Sequence, residues 1–118
     1  MKTERRGAAR IVEFLSFRIG HQRYEIQSTT INLSSNGALC LVDRDIPVMT
    51  RLAVSLSLPA SGASQPAQDI AATGVVVRTE KRPDSGKFCV AIYFSKIGPK
   101  ARKVLRGFIA SRLKKNTG

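Results

Sequence analysis

The sequence predicts an all-β fold, a six-stranded antiparallel β-barrel followed by a C-terminal α-helix. Three observations lead to this prediction. Several segments alternate apolar and polar residues with a period of two, which is typical of half-buried strands. Clusters of turn-forming residues separate these segments. Apolar residues at helical spacing occur near the end of the chain. Closing such a sheet into a barrel leaves no exposed strand edge.

The clearest strand candidates are two alternating segments, "RLAVSLSLP" and "KFCVAIYF". Their one-sided apolar residues are Leu52, Val54, Leu56 and Leu58 in the first and Phe88, Val90, Ile92 and Phe94 in the second. Four further candidates are "IVEFLSFRIG", "RYEIQSTTINLS", "GALCLV" and "GVVVRTEKR". The Pro-, Ser- and Ala-rich residues 59–69 are predicted to form a surface loop between two strands.

The last segment changes its period. After Gly98-Pro99, five apolar residues form one helical stripe: Val104, Leu105, Phe108, Ile109 and Leu113. We therefore expect a single domain in three parts: a flexible N-terminal arm (1–10), a barrel (11–98) and a basic helix (99–118). The helix could cap the barrel, or it could also dock on an acidic partner or on anionic lipid.

Charge is the strongest global property of this chain. Its 118 residues carry a formal net charge of +12, which attracts anions such as nucleotides, nucleic acid, acidic lipid or an acidic protein face. No apolar run approaches the roughly 20 residues that span a bilayer. The N-terminus also lacks the apolar segment of a signal peptide. We expect a cytoplasmic protein with no transmembrane segment.

The sequence contains no catalytic constellation. His21 is the single histidine, and Cys40 and Cys89 lie inside apolar runs without ligand partners at metal-binding spacing. Neither a nucleophile–base pair nor a phosphate-binding Gly-Lys-Thr loop is visible. The prediction is a protein that is not an enzyme and has no metal and no cofactor.

A cluster of arginines precedes the first predicted strand. Arg5, Arg6 and Arg10 surround the small residues of "RRGAAR". A guanidinium offers planar, bidentate donors, which match a phosphate and also match the O6 and N7 edge of guanine. The segment is a candidate ligand-binding element, although a solvated basic tail would have the same composition.

A second candidate element is the polar segment "NLSSNG", residues 32–37. Asn32 offers an amide donor and a carbonyl acceptor, and Ser34 adds a hydroxyl. In an extended chain the two side chains would point to the same side. Gly37 would allow a positive φ or a close approach of ligand to the backbone. A polar turn between two strands would also explain this composition.

Together the two segments resemble the motifs of the PilZ domain family. The Arg-x-x-x-Arg motif corresponds to residues 6–10, with Arg5 as the doubled arginine, and the Asp/Asn-x-Ser-x-x-Gly motif corresponds to residues 32–37. The resemblance continues through "LAVSLSLP", "TGVVVR", a strand that ends in Phe94 and the closing helix. Two positions depart from it. Ala91 stands where the family often has glycine, and an expected glycine before the fourth strand is replaced around residues 49–51.

The resemblance implies a six-stranded barrel that binds cyclic di-GMP. It implies that Arg6 and Arg10 grip guanine edges and phosphates with help from Arg5. It further implies that Asn32 and Ser34 hydrogen-bond a guanine, and that Gly37 keeps the start of the next strand open.

The expected mechanism is an ordering switch. The ligand would order the arginine arm on the barrel and create a surface for a downstream protein partner. Since four residues precede Arg5, we expect a free-standing adaptor. One alternative is a nucleotide-independent interaction module of the same fold, as in pilus assembly. A nucleic-acid-binding barrel is the other, but base-stacking aromatics are few, so no nucleic-acid partner is expected.

Overall fold

The structure is a computed structural model that describes residues 9–21, 24–60 and 66–117. The predicted arm, residues 1–10, lies outside the described residues except for Ala9 and Arg10. The described elements are β1 (Ile11–Val12), β2 (Ser16–His21), β3 (Tyr24–Leu33), β4 (Gly37–Val42), β5 (Arg51–Leu58), β6 (Gln68–Lys81), β7 (Phe88–Lys96) and α1 (Pro99–Thr117).

Six of the strands form a closed antiparallel barrel. Their order is β3-β2-β5-β6-β7-β4, and pairing between β3 and β4 closes the ring. The short strand β1 is an addition, and it pairs with the end of β3 through Ile11 opposite Leu33 and Val12 opposite Asn32. The predicted barrel and C-terminal helix are therefore confirmed, with one extra strand.

A buried threonine breaks the predicted first strand into β1 and β2. The hydroxyl of Thr30 donates a hydrogen bond to the Glu13 carbonyl at 2.6 Å and accepts one from the Leu15 amide at 2.9 Å. The Thr30 amide also donates to the Leu15 carbonyl at 3.0 Å. This side chain is fully buried, so it satisfies backbone groups that would otherwise lack partners where the ladder is interrupted.

Strand β6 begins earlier than the sequence predicts. It starts at Gln68, inside the segment expected to be a loop, and pairs with all of β5 from Leu58 opposite Gln68 to Arg51 opposite Val75. Ile70 explains the extension, because it is buried and pairs with Leu56. One inward apolar residue within a polar, alanine-rich segment gives little periodic signal.

The core fills the barrel and continues under the helix. The predicted one-sided residues of β5 are all buried, as are Val90, Ile92 and Phe94 of β7. Leu105, Phe108 and Ile109 of α1 join the same cluster. Helix α1 starts after Gly98, whose carbonyl accepts the Arg102 amide at 2.9 Å. The described helix lacks an apolar stretch long enough to cross a membrane.

An ion pair anchors the C-terminal half of α1 to the β1–β2 connection. Arg112 Nε lies 3.0 Å from Glu13 Oε2, and both side chains are mostly buried. The same guanidinium lies over the Phe108 ring, 4.5 Å from its centroid. This contact fixes the helix beside the segment that follows Arg10.

The connection before β5 contains a backbone conformation that favours glycine. Met49 has a φ of 77°, and its amide donates to the Val76 carbonyl at 2.7 Å. The Val76 amide in turn donates to the Thr50 carbonyl at 3.0 Å. These bonds hold Met49 in the left-handed region, at the place where the sequence resemblance lacks an expected glycine.

Candidate ligand-binding site

A pocket of about 250 Å³ opens on the outer face of the barrel. Its floor is formed by β4 and β7, with β3 on one side and β6 on the other. The strand register defines one row of residues across these four strands. Asn32 pairs with Leu39, Leu39 with Ala91, and Ala91 with Arg78. We call this line of four residues the Asn32–Arg78 row.

Arg10 and Asn32 meet at one rim of the pocket. Arg10 Nη1 donates a hydrogen bond to Asn32 Oδ1 at 2.7 Å, and both residues line the pocket. Strand β1 explains this proximity, because Ile11 pairs with Leu33 and leaves Arg10 beside the end of β3. The structure thus brings together residues of the two sequence motifs. Their binding role stays a prediction, and Arg5 and Arg6 lie outside the described residues.

Ser34 has a different environment from Asn32. Strand β3 ends at Leu33, and Ser34 is 1% exposed within the following turn. Its hydroxyl accepts the Asn36 amide at 3.1 Å and lies 3.4 Å from the Gly37 carbonyl, to which it donates. The expectation that Ser34 shares a face with Asn32 is wrong here, because the extended chain ends between them. A direct ligand contact by Ser34 stays a prediction.

Gly37 is required by strand packing. It does not adopt a positive φ. A Cβ at this position would overlap the carbonyl oxygen of Ile92 and lie 3.2 Å from the Tyr93 Cα. The neighbouring Asn36 carbonyl accepts the Phe94 amide at 2.8 Å, which draws β4 and β7 together. The missing side chain also keeps this part of the pocket floor low.

Helix α1 supports the turn that carries Ser34 and Gly37. Arg102 Nη1 donates to the Ser35 carbonyl at 3.4 Å. The Arg112–Glu13 ion pair holds the chain three residues after Arg10, the last residue of the other motif. Both described pieces of the site are therefore attached to the same helix.

The pocket favours anions. The described residues that line it include Arg10 and Arg78 and no carboxylate. Val77 and Tyr93 are about half exposed at its edge, with exposures of 52% and 51%. Sequence reasoning missed Arg78, Asn36 and Tyr93. The predicted apolar face of this strand contains Ile92 and Phe94, which leaves Tyr93 on the opposite face, but nothing in the sequence showed that β6 lies beside it at this register.

The thiol of Cys40 suits packing better than chemistry. Cys40 is fully buried, and burial raises its pKa to about 12, with a smaller contribution from the nearby Cys89 thiol. A thiol of this kind is protonated and a poor nucleophile at neutral pH. Among the residues that the structure describes, no cluster of His, Cys, Asp or Glu has a geometry that could hold a metal ion.

The fold and the site together define a small β-barrel domain with an anion-attracting pocket on its outer surface. The PilZ domain family model matches residues 4–111, and the chain therefore belongs to the PilZ domain family.

Solved structures show the same fold. The structure of Bacillus subtilis inhibitor of motility (MotI/DgrA) superposes with a TM-score of 0.77 at 22% identity, over 92% of this chain. This chain spans only 51% of MotI/DgrA. The PilZ domain of YcgR from Escherichia coli, solved with c-di-GMP, gives a TM-score of 0.65 at 14% identity. That match covers 96% of this chain and 95% of the YcgR domain. The comparison with curated proteins gave no match.

Proposed function

We propose that this protein is a non-catalytic receptor for cyclic di-GMP that signals to a protein partner. The observation that carries the proposal is the hydrogen bond between Arg10 and Asn32 at the rim of the pocket. It joins the two family motifs in one place. Family membership adds support, as does the YcgR PilZ domain, which was solved with c-di-GMP.

The chemistry of the pair fits this ligand. A guanidinium has five N–H donors, so the bond to Asn32 leaves Arg10 donors for a phosphate or for the O6 and N7 edge of guanine. Asn32 accepts through Oδ1 and keeps its amide donors. The ligand brings two negative charges to a strongly basic protein, which favours fast, salt-sensitive encounter.

In the proposed mechanism, Arg5 and Arg6 join Arg10 on the ligand and the N-terminal arm becomes ordered over the pocket. The ligand shifts this equilibrium only through contacts made in the ordered state. The ordered arm and the barrel then present a composite surface to the partner. The lining supplies donors and an apolar floor, which suit binding rather than bond cleavage.

A second candidate is a protein-interaction module that works without nucleotide. Val12 and Phe14 favour it, because they are 69% and 72% exposed and follow Arg10 along the same segment. Exposed apolar side chains grouped in this way are typical of protein-binding surfaces. They also fit the partner surface of the receptor, so a ligand titration separates the two functions.

Isothermal titration with cyclic di-GMP tests the proposal. We expect saturable binding by the wild-type protein, and roughly tenfold or greater weakening in Arg10→Ala and Asn32→Ala. The matched control is Arg51→Ala, because Arg51 is an exposed arginine on β5 that does not line the pocket. Cyclic di-AMP is the ligand control, since each bidentate arginine–guanine contact contributes about 1–3 kcal/mol of discrimination.

Absence of saturable binding by wild type at moderate salt would overturn the receptor function and leave the interaction module. Equal affinity of the wild type and Arg10→Ala would remove Arg10 from the site. Far-UV circular dichroism of each variant confirms that the barrel is intact.

A further inference from the structure

We infer that Arg78 is a further ligand-binding residue, which contacts a phosphate on the side of a cyclic dinucleotide farther from Arg10. The inference rests on the proposed function and deepens it. Arg78 stands at the far end of the Asn32–Arg78 row, lines the pocket and is exposed. None of the residues that the structure describes forms a hydrogen bond or ion pair with its guanidinium.

A β-bulge in β6 turns Arg78 towards the pocket. Val76 pairs with Ile92 and Arg78 pairs with Ala91, so Val77 is an extra residue in the ladder. In a regular ladder, Val77 would instead pair with Ala91 and Arg78 would pair with Val90. Val90 is fully buried, so the guanidinium would then point into the core, at a large desolvation cost. The bulge therefore reverses the face of Arg78.

A second β-bulge acts in the same way on the opposite wall. In β3, Thr30 pairs with Cys40 and Asn32 pairs with Leu39, so Ile31 is the extra residue. In a regular ladder, Asn32 would instead face Ala38, which is 3% exposed. Bulges are frequent beside functional sites because they re-aim single side chains. Here two bulges, in β3 and β6, aim polar side chains at the same row.

The distance between the two walls fits a ligand with two halves. Asn32 and Arg78 are separated by three strand-to-strand steps, from β3 through β4 and β7 to β6. At about 4.8 Å a step, their Cα atoms are about 14 Å apart along the sheet. A cyclic dinucleotide extends across the apolar floor of Leu39 and Ala91 and brings a phosphate to the far wall.

The chemistry of Arg78 selects a phosphate. A guanidinium pairs with a phosphate through two parallel hydrogen bonds, and such charge-assisted bonds are the strongest in proteins. Beside Arg78, Val77 and Tyr93 supply half-exposed apolar and aromatic surface that suits a base. Val77 on β6 and Tyr93 on the adjoining floor strand β7 thus place surface for a base next to the guanidinium for a phosphate, as the two groups are adjacent in a nucleotide.

Titration of cyclic di-GMP into Arg78 variants tests the inference. We expect Arg78→Ala and Arg78→Gln to weaken binding by roughly tenfold to a hundredfold, as loss of charge-assisted hydrogen bonds does. Arg78→Lys keeps the charge but loses the planar fork, so its affinity should lie between wild type and Arg78→Ala. The matched control Arg51→Ala should bind as wild type does. The affinity of Arg78→Ala should also depend less on salt.

The outcomes separate this inference from the proposed function. If wild type binds and Arg78→Ala and Arg78→Gln both bind equally well, Arg78 is not a ligand residue and the receptor function stands. If wild type does not bind, the receptor function fails and this inference fails with it. If Arg78→Lys binds as tightly as wild type, the proposed bidentate contact is wrong, and the positive charge of residue 78 alone explains its effect on binding. Unchanged urea midpoints show that the variants are folded.

Discussion

Replacement of Gly37 by alanine tests whether strand packing, rather than ligand approach, selects glycine at this position. The added Cβ would overlap the Ile92 carbonyl oxygen, and it would lie 3.2 Å from the Tyr93 Cα and 3.3 Å from the Ile92 carbonyl carbon. All three obstacles are backbone atoms, so no side-chain rotation relieves them. The ends of β4 and β7 must move apart.

The expected loss follows from these contacts. Overpacking in a well-packed region costs about 1–3 kcal/mol. Separation of the strands also weakens the hydrogen bond from the Phe94 amide to the Asn36 carbonyl, at about 1 kcal/mol. The lower backbone entropy of unfolded alanine offsets about 0.5–1 kcal/mol. We therefore expect Gly37→Ala to lower the free energy of unfolding by about 1–3.5 kcal/mol.

Urea unfolding followed by far-UV circular dichroism measures this loss, since the chain has no tryptophan. With a slope near 2 kcal/mol/M, the midpoint should fall by about 0.5–1.7 M. Gly20→Ala is the control, because its Cβ would lie 3.6 Å from the Ala53 carbonyl oxygen, an ordinary contact. That variant should be neutral or slightly stabilised. A change below about 0.5 kcal/mol in Gly37→Ala would refute the packing argument. If Gly37→Ala had unchanged stability but lost ligand binding, ligand approach rather than strand packing would explain the glycine.

Two further predictions concern the stability of the barrel. Met49→Gly should raise the free energy of unfolding by up to about 1 kcal/mol, because glycine adopts the left-handed conformation of this residue without strain. Little packing is lost, since Met49 is 74% exposed. A lower urea midpoint would contradict this prediction. The raised pKa of Cys40, about 12 against an ordinary 9.0, gives a pH dependence. The Cys40 thiol ionises at a lower pH in the unfolded chain than in the folded chain. The free energy of unfolding therefore falls as pH rises from about 9 towards 12. Wild type should lose about 1 kcal/mol more than Cys40→Ala between pH 8 and 10, and parallel pH profiles of the two proteins would exclude this cause.

The barrel strands could be predicted from the sequence because their apolar and polar residues alternate with a period of two. This alternation is clear from Leu52 to Leu58 and from Val90 to Phe94. It does not depend on which strands pair with these segments. The two bulges could not be predicted, since each adds one residue without changing composition. In "GVVVR" any of the valines could be the extra residue, so the outward direction of Arg78 depends on register with β7.

The residues of the candidate site that belong to a sequence motif could be predicted. The lining residues that only the strand register brings to the pocket could not. The motifs indicated Arg10 and Asn32, which the structure brings together at the rim of the pocket. Ser34 was expected on the surface, but the end of β3 at Leu33 turns it inwards. The direction of the Ser34 side chain depends on the residue at which the β3 ladder ends. Tertiary contacts determine that residue, so the local sequence does not reveal it.

The pocket floor has a consequence for the order of folding events. It consists of β4 and β7, which are far apart in sequence, with β5 and β6 between them. Pairing of distant strands requires a large loss of chain entropy and is intrinsically slow. We therefore expect the β4–β7 pairing, like the β2–β5 pairing, to form later than the hairpin pairings of β2 with β3, β5 with β6 and β6 with β7. A molecule that binds the floor only after β4 and β7 have paired would stabilise the folded chain and not its folding transition state. It would therefore slow unfolding without accelerating folding.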